Sequence, residues 1–184
     1  MKELSVMDKE NIEQKASELL SNHNINSSDG FDVVALAKDM GFYVGNATLD
    51  DNEDGFIAVD TRETSILNTG SNKVIGVNST RDYYTKRFII AHELGHFILR
   101  ANEQGDKDII YAHRESKSER RTDEEQDVDY FAACLLMPKE AFSKKYEELT
   151  TKPLSQEETV AALQRVFSAP LKSVERRVEE LALV

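Results

Sequence analysis

A chain of 184 residues with a formal net charge of −11 and one cysteine fits a single domain able to bury about 70% of its unfolded surface, and its acidity argues against nucleic-acid binding as its main work. Cys134, inside the apolar run Phe131–Met137, excludes a disulfide framework and reads as a buried thiol in a reducing compartment. Met1–Glu10 carries charges rather than the apolar core of a secretory signal, and no apolar run reaches the roughly 18 residues that span a bilayer, so a cytoplasmic location is expected.

Asp8 is placed to cap a first helix whose apolar stripe is Ile12, Ala16, Leu19 and Leu20, fading at Asn22–Asn26, where His23 reads as a solvated turn residue. Asp32 can cap a shorter helix that buries Val33, Val34, Leu36, Ala37 and Met40, with Gly41 suited to the left-handed position after it. Short strands are predicted at Phe42–Val44, Phe56–Val59 and Val74–Asn78, the first two separated by the acidic stretch Asp50–Gly55. Phe88–Leu99 has helical spacing. Ile109–Tyr111 reads as one more strand before a charged loop, Glu115–Arg121, and a helix then buries Val128, Phe131, Ala132, Leu135 and Leu136. Two last helices, Glu158–Val166 and Leu171–Leu183, are separated by Ser168-Ala-Pro170 at a helix-turn-helix-like spacing. Five basic residues of the chain's end, 150–184 (Lys152, Arg165, Lys172, Arg176, Arg177), are balanced by five acidic ones, so packing or partner docking is favoured over DNA binding.

The helix at Phe88–Leu99 carries His92-Glu93-Leu94-Gly95-His96. Histidines four apart share one helix face and can share one metal ion, while the intervening Glu can hold a water against it. With only 4 histidines in the chain, the motif has little chance of arising by accident. Its helix is apolar nearly all round, so the two histidines and the glutamate need partners; core histidines bonded to backbone carbonyls are the plainer alternative. Zn²⁺ takes imidazole nitrogen and keeps one position open for water in catalytic sites, which implies metal-assisted hydrolysis, most often of a peptide bond. Mn²⁺ is a second candidate.

A zinc site needs a third protein ligand. Glu125 and Asp129 are four apart on the buried stripe of the later helix, where acids require a cation or a donor. Glu125 is the favoured third ligand, with Asp129 placed to receive the free N–H of a ligand imidazole. Glu124, one step round the helix, remains open, and Thr122-Asp-Glu-Glu125 also fits a capping box in which Glu125 serves the helix start. His113 is a weaker ligand candidate; with Tyr111 and Arg114 it is also a candidate donor to an oxyanion.

Phe88-Ile-Ile-Ala-His-Glu-Leu-Gly-His96, followed by Glu125-x-x-x-Asp129-Tyr-Phe-Ala-Ala-Cys-Leu-Leu-Met-Pro138, resembles the ImmA/IrrE family of metallopeptidases. The strand end Ile75-Gly-Val-Asn78 and the pair Arg87-Phe88 match that family as well, so the resemblance covers roughly residues 30 to 140. Val128-Asp129 stands where the family usually has Ala-Asn, a departure that leaves the Glu-x-x-x-Asp pair of other zinc peptidases. The resemblance implies His92, His96 and Glu125 as zinc ligands, Glu93 as general base and Asp129 as an orienting residue. It further implies an α+β, zincin-like fold: a small, mostly antiparallel sheet packed on the HExxH helix and other helices. Residues 1–149 would form this domain, and 150–184 a helical C-terminal appendage.

Members of the resembled family often cleave a helix-turn-helix repressor of a mobile element or stress response at one site. The expected partner is therefore one regulatory protein rather than nucleic acid or membrane. An extended substrate would lie on an edge strand near the metal, for which Gly55–Val59 is the expectation. The competing reading is a non-catalytic, repressor-binding or antitoxin-like module that keeps a metal site.

Overall fold

The computed structural model describes residues 6–60, 62–99, 109–116 and 123–183. Helix α1 (Val6–Asn22) buries Ile12, Ala16, Leu19 and Leu20, and it begins ahead of Asp8, which therefore sits inside its first turn rather than capping it. Half-buried His23 follows and pairs with Asp39, so the histidine expected to be solvated is tied down. Asp32 caps α2 (Val33–Asp39), accepting from the N–H groups of Val34 at 2.9 Å and Ala35 at 3.1 Å. Gly41 takes the left-handed conformation, φ +87°, that ends it.

Strands β1 (Tyr43–Ala47), β2 (Glu53–Asp60), β3 (Lys73–Asn78) and β4 (Ile109–Ser116) form one sheet in the order β1-β3-β2-β4. The β1–β3 pairing is parallel and the other two are antiparallel. Three expectations change here. Strand β2 is flanked on both sides, so Gly55–Val59 is not an edge; among the described residues β4 is the edge strand beside it. The acidic stretch at 50–55 is partly strand, because Arg81 pairs with Asp54 at 2.6 Å and holds it in place. Strand β4 also runs on through Glu115 and Ser116, which were expected in a loop.

Helix α3 (Tyr83–Leu99) lies against β2 and β3 and packs its other side on α4 (Asp123–Leu136), which also meets α1. Helix α5 (Lys139–Thr150), not anticipated from the sequence, buries Phe142 and Leu149. Its Phe142 ring sits 5.2 Å from that of Phe167 on α6 (Gln156–Phe167), and α7 (Leu171–Glu180) closes the chain's helical layer. Ile57, Ile75, Leu94 and Phe131 share one apolar cluster with Leu163, Phe167 and Val174, so α6 and α7 build on the same core as the sheet. Burial of each such side chain contributes about 1.5–3 kcal/mol. Two buried arginines tie the layers: Arg87 donates to Ser168 O at 3.0 Å and Phe31 O at 2.5 Å, while Arg177 donates to Met137 O at 3.1 Å and pairs with Glu13. The fold is α+β, with its small and mostly antiparallel sheet packed on the HExxH helix. Among the described residues no helix is long and apolar enough to cross a membrane.

Candidate metal centre

Helix α3 starts where Asp82 accepts from the Tyr84 and Thr85 N–H groups at 3.0 and 3.1 Å and from the Thr85 hydroxyl. The hydroxyl bond leads the interactions that hold the Asp82 carboxyl below its usual range, keeping a negative charge at the helix's positive end. Just upstream, fully buried Asn78 donates to Glu53 O at 2.7 Å and Asp50 O at 3.1 Å, and accepts from Thr80 N at 3.0 Å. This knot joins the end of β3 to the start of β2 and fixes the entry into α3.

Gly95 decides how close α4 can come. A Cβ there would lie 3.0 Å from both Phe131 Cδ1 and Val128 Cγ1. Val128 is three residues past Glu125, so this contact sets the reach of the Glu125 carboxylate toward α3. His92 Nε2 and His96 Nε2 are 3.0 Å apart; Glu125 Oε2 is 3.3 Å from the first and Glu125 Oε1 is 3.5 Å from the second. Both histidines are buried, and the carboxylate is partly so. For donors at the usual zinc distance, the edge of a coordination tetrahedron is about 3.3–3.4 Å. The three donors therefore fit around one such ion. The donor set, two imidazoles and a carboxylate, also matches a catalytic rather than a closed structural zinc site.

On its other side, the His92 ring donates from Nδ1 to Asp129 Oδ1 at 3.0 Å. Because a carboxylate only accepts, the contact places the proton on Nδ1 and leaves the Nε2 lone pair facing His96 and Glu125. Glu124 is not one of the converging groups; burial first, then the Glu125 and Asp127 charges, push its carboxyl up from the ordinary value. Glu93 is fully buried on the sheet side of α3. Gly55 on β2 makes room there: a Cβ at that position would fall 2.5 Å from Ile89 Cγ2 and 3.6 Å from Glu93 Oε1. The roles of Gly55 and Gly95 escape a reading of periodicity, because each depends on a neighbour distant in sequence. Asp82 did carry a local signal, an Asp three residues before a Thr at a helix start.

Thr122, the competing capping residue, lies outside the described residues, as do the side chains of Tyr111, His113 and Arg114 on β4. Against this geometry, the model for the IrrE N-terminal-like domain, peptidase family M78, matches residues 38–179. The chain belongs to this peptidase family. The match spans the sheet, the helices of the His-His-Glu cluster and both C-terminal helices. No curated protein matches the chain. Among solved structures, a Mycobacterium tuberculosis transcriptional regulator is similar, with a TM-score of 0.59 and 17% identity over 92% of this chain and 47% of the other. The M78 chain thus spans about half the length of that regulator. At this identity the likeness is one of fold.

Proposed function

We propose that this M78 chain is a zinc-dependent endopeptidase in which His92, His96 and Glu125 hold the ion and Glu93 is the general base. The observation that carries the reading is the meeting of three donors, at 3.0, 3.3 and 3.5 Å, between two helices of a peptidase-family fold. A bound Zn²⁺ supplies a Lewis acid that polarises a peptide carbonyl and brings the pKa of water to about 7; Mn²⁺ is the alternative ion. Glu93 accepts the proton of the attacking water and delivers it to the leaving amine. Asp129 keeps the His92 ring in one orientation and one tautomer. The extended peptide pairs with β4, the edge strand, in place of the central β2.

The substrate we propose is a regulatory protein cut at a single site, a helix-turn-helix transcriptional repressor, within the cytoplasm. The peptidase-family match and the fold shared with a transcriptional regulator support work in gene regulation. The test is metal analysis combined with incubation of the chain with the repressor encoded beside its gene. Wild type and Glu93→Ala should both bind about one ion, and only wild type should produce the two fragments. Undiminished cleavage by Glu93→Ala would remove the general base, and a chain that takes up no metal would remove the site.

A further inference from the structure

Helices α6 and α7 enclose a groove of about 560 Å³ on the outer face of the helical layer. Its floor is apolar: Val160 and Ala161 on α6, Val178 and Leu171 on α7, with Leu171 41% exposed. The charged residues lining it, Glu157, Glu175 and Glu179, are all acidic. All three are exposed, and none has an ion-pair partner among the described residues. Four neighbouring charges are committed elsewhere. Glu158 closes the capping box of α6, Glu180 pairs with Arg176 at 3.1 Å, and Arg177 pairs with Glu13. Lys172 and Arg176 line a different cavity, with Asp129 and Tyr130. The charges of this segment balance along the sequence, yet in space three of its five acids are gathered around one apolar cleft.

Like charges ringing an apolar floor repel one another and favour a cationic partner that brings its own apolar stripe. An amphipathic helix meets both conditions: one apolar residue per turn fills the cleft, and flanking Lys or Arg side chains face the rim. We infer that the α6–α7 groove docks a basic amphipathic helix of the protein substrate, the type of helix that a DNA-binding protein presents to phosphate. This rests on the peptidase reading above and adds to it an anchoring point outside the catalytic residues. A chain with a net charge of −11 also steers such a partner during encounter.

The experiment measures fluorescence anisotropy of a labelled helical peptide of about 18 residues, with leucines at i, i+3, i+4 and i+7 and lysines on both flanks, titrated with the full chain. Saturable binding is expected, weakened about tenfold or more in Glu175→Lys/Glu179→Lys and in Leu171→Asp. The double reversal Glu140→Lys/Glu147→Lys makes the same change in charge on the exposed side of α5 and should leave the affinity near wild type. A scrambled peptide of identical composition should bind at least about tenfold more weakly, because its apolar stripe is broken. Equal losses in the two double reversals, or equal binding of the scrambled peptide, would overturn the inference. So would a dimer that Leu171→Asp dissolves, since a second copy of the chain would then fill the groove. Because the readout is binding, the two proposals separate: repressor cleavage without peptide binding rejects the groove alone, whereas peptide binding without cleavage rejects the peptidase reading alone.

Discussion

Two helix pairs of this molecule treat charge in opposite ways. Between α3 and α4, His92, His96 and Glu125 turn inward and meet at 3.0–3.5 Å, where each would carry a desolvation penalty of several kcal/mol without compensation. Between α6 and α7 the interior is apolar, with Leu163, Phe167 and Val174 fully buried, and the acids Glu157, Glu175 and Glu179 stand at the rim. Buried convergence of donors is costly and persists where chemistry needs it. Rim charge costs little and is available to a partner. The first pair is thus read as reaction machinery and the second as a recognition surface.

Removal of the ion should have the largest effect, because it takes away the positive charge that the inward-facing donors of α3 and α4 would share. An ion held at 100-fold above its dissociation constant stabilises the fold by about 2.7 kcal/mol. For a chain of this length that corresponds to roughly 5–10 °C in Tm. Calorimetry should show this drop on chelation, and His96→Ala should start at the lower Tm and respond little to chelator. A wild-type Tm indifferent to chelator would mean that the cluster is satisfied without metal.

Next comes Asp129, which touches His92 rather than the ion. Asp129→Ala should weaken metal affinity by about 10–100-fold, as loss of such outer partners does. Asp129→Asn retains an oxygen to accept the Nδ1 proton and should restore most of the affinity. If Asn fares as badly as Ala, the charge of Asp129 matters and the hydrogen bond alone does not explain its role.

Gly95→Ala makes a finer cut, because it separates helix stability from site geometry. Alanine favours a helix over glycine by about 0.8–1 kcal/mol, but its methyl would press on Val128 and Phe131 at 3.0 Å and move α4 by a few tenths of an ångström. The expected result is a severalfold loss of metal affinity with a Tm nearly unchanged in the metal-free protein. A large fall in metal-free Tm would show that the helix contact serves packing first.

The same contrast explains what was legible in the sequence. The spacing of His92 and His96 is local to one helix, and Glu125 betrayed itself as an acid on an apolar stripe, sharpened by the family resemblance. The helical stripes of α1 and α2 and the burial of Cys134 were local in the same sense. Strand order was not: Phe56–Val59 is the same short apolar run whether β2 is central or at an edge, and its pairing with β4 joins residues more than fifty apart. Phe142, Tyr146 and Leu149 carry the i, i+4, i+7 signal of α5, placed directly after Pro138 where a helix can begin. The acidic groove could not be read from composition, because three of the five basic residues that balance it along the chain, Lys172, Arg176 and Arg177, line a different cavity or are paired elsewhere.

Cys134 gives the smallest effect and a control on the idea that buried polarity signals chemistry. It is a buried polar atom on α4, yet it belongs to neither helix-pair function. Burial, aided by the Glu13 charge and opposed by Arg177, pushes its thiol up to about 12 from an ordinary value of 9.0. At pH 8 it should therefore react with thiol reagents only as fast as the chain opens, and rapidly once urea unfolds it. The sign for stability follows from the raised folded value. Below pH 9 both states keep the proton and stability is unaffected; above it only the unfolded chain releases the proton, so stability falls as pH rises from about 9 toward 12. Half-buried Tyr130, its phenol also raised first by burial, adds to the same alkaline loss near the upper end of that window. Urea midpoints for wild type and Cys134→Ala at pH 8 and pH 10 isolate the thiol: the variant should lose less between the two values while retaining its metal. A rapid native thiol reaction at pH 8 would instead place an accessible nucleophile on the helix that carries Glu125, and the division between reactive and merely buried polarity would have to be redrawn.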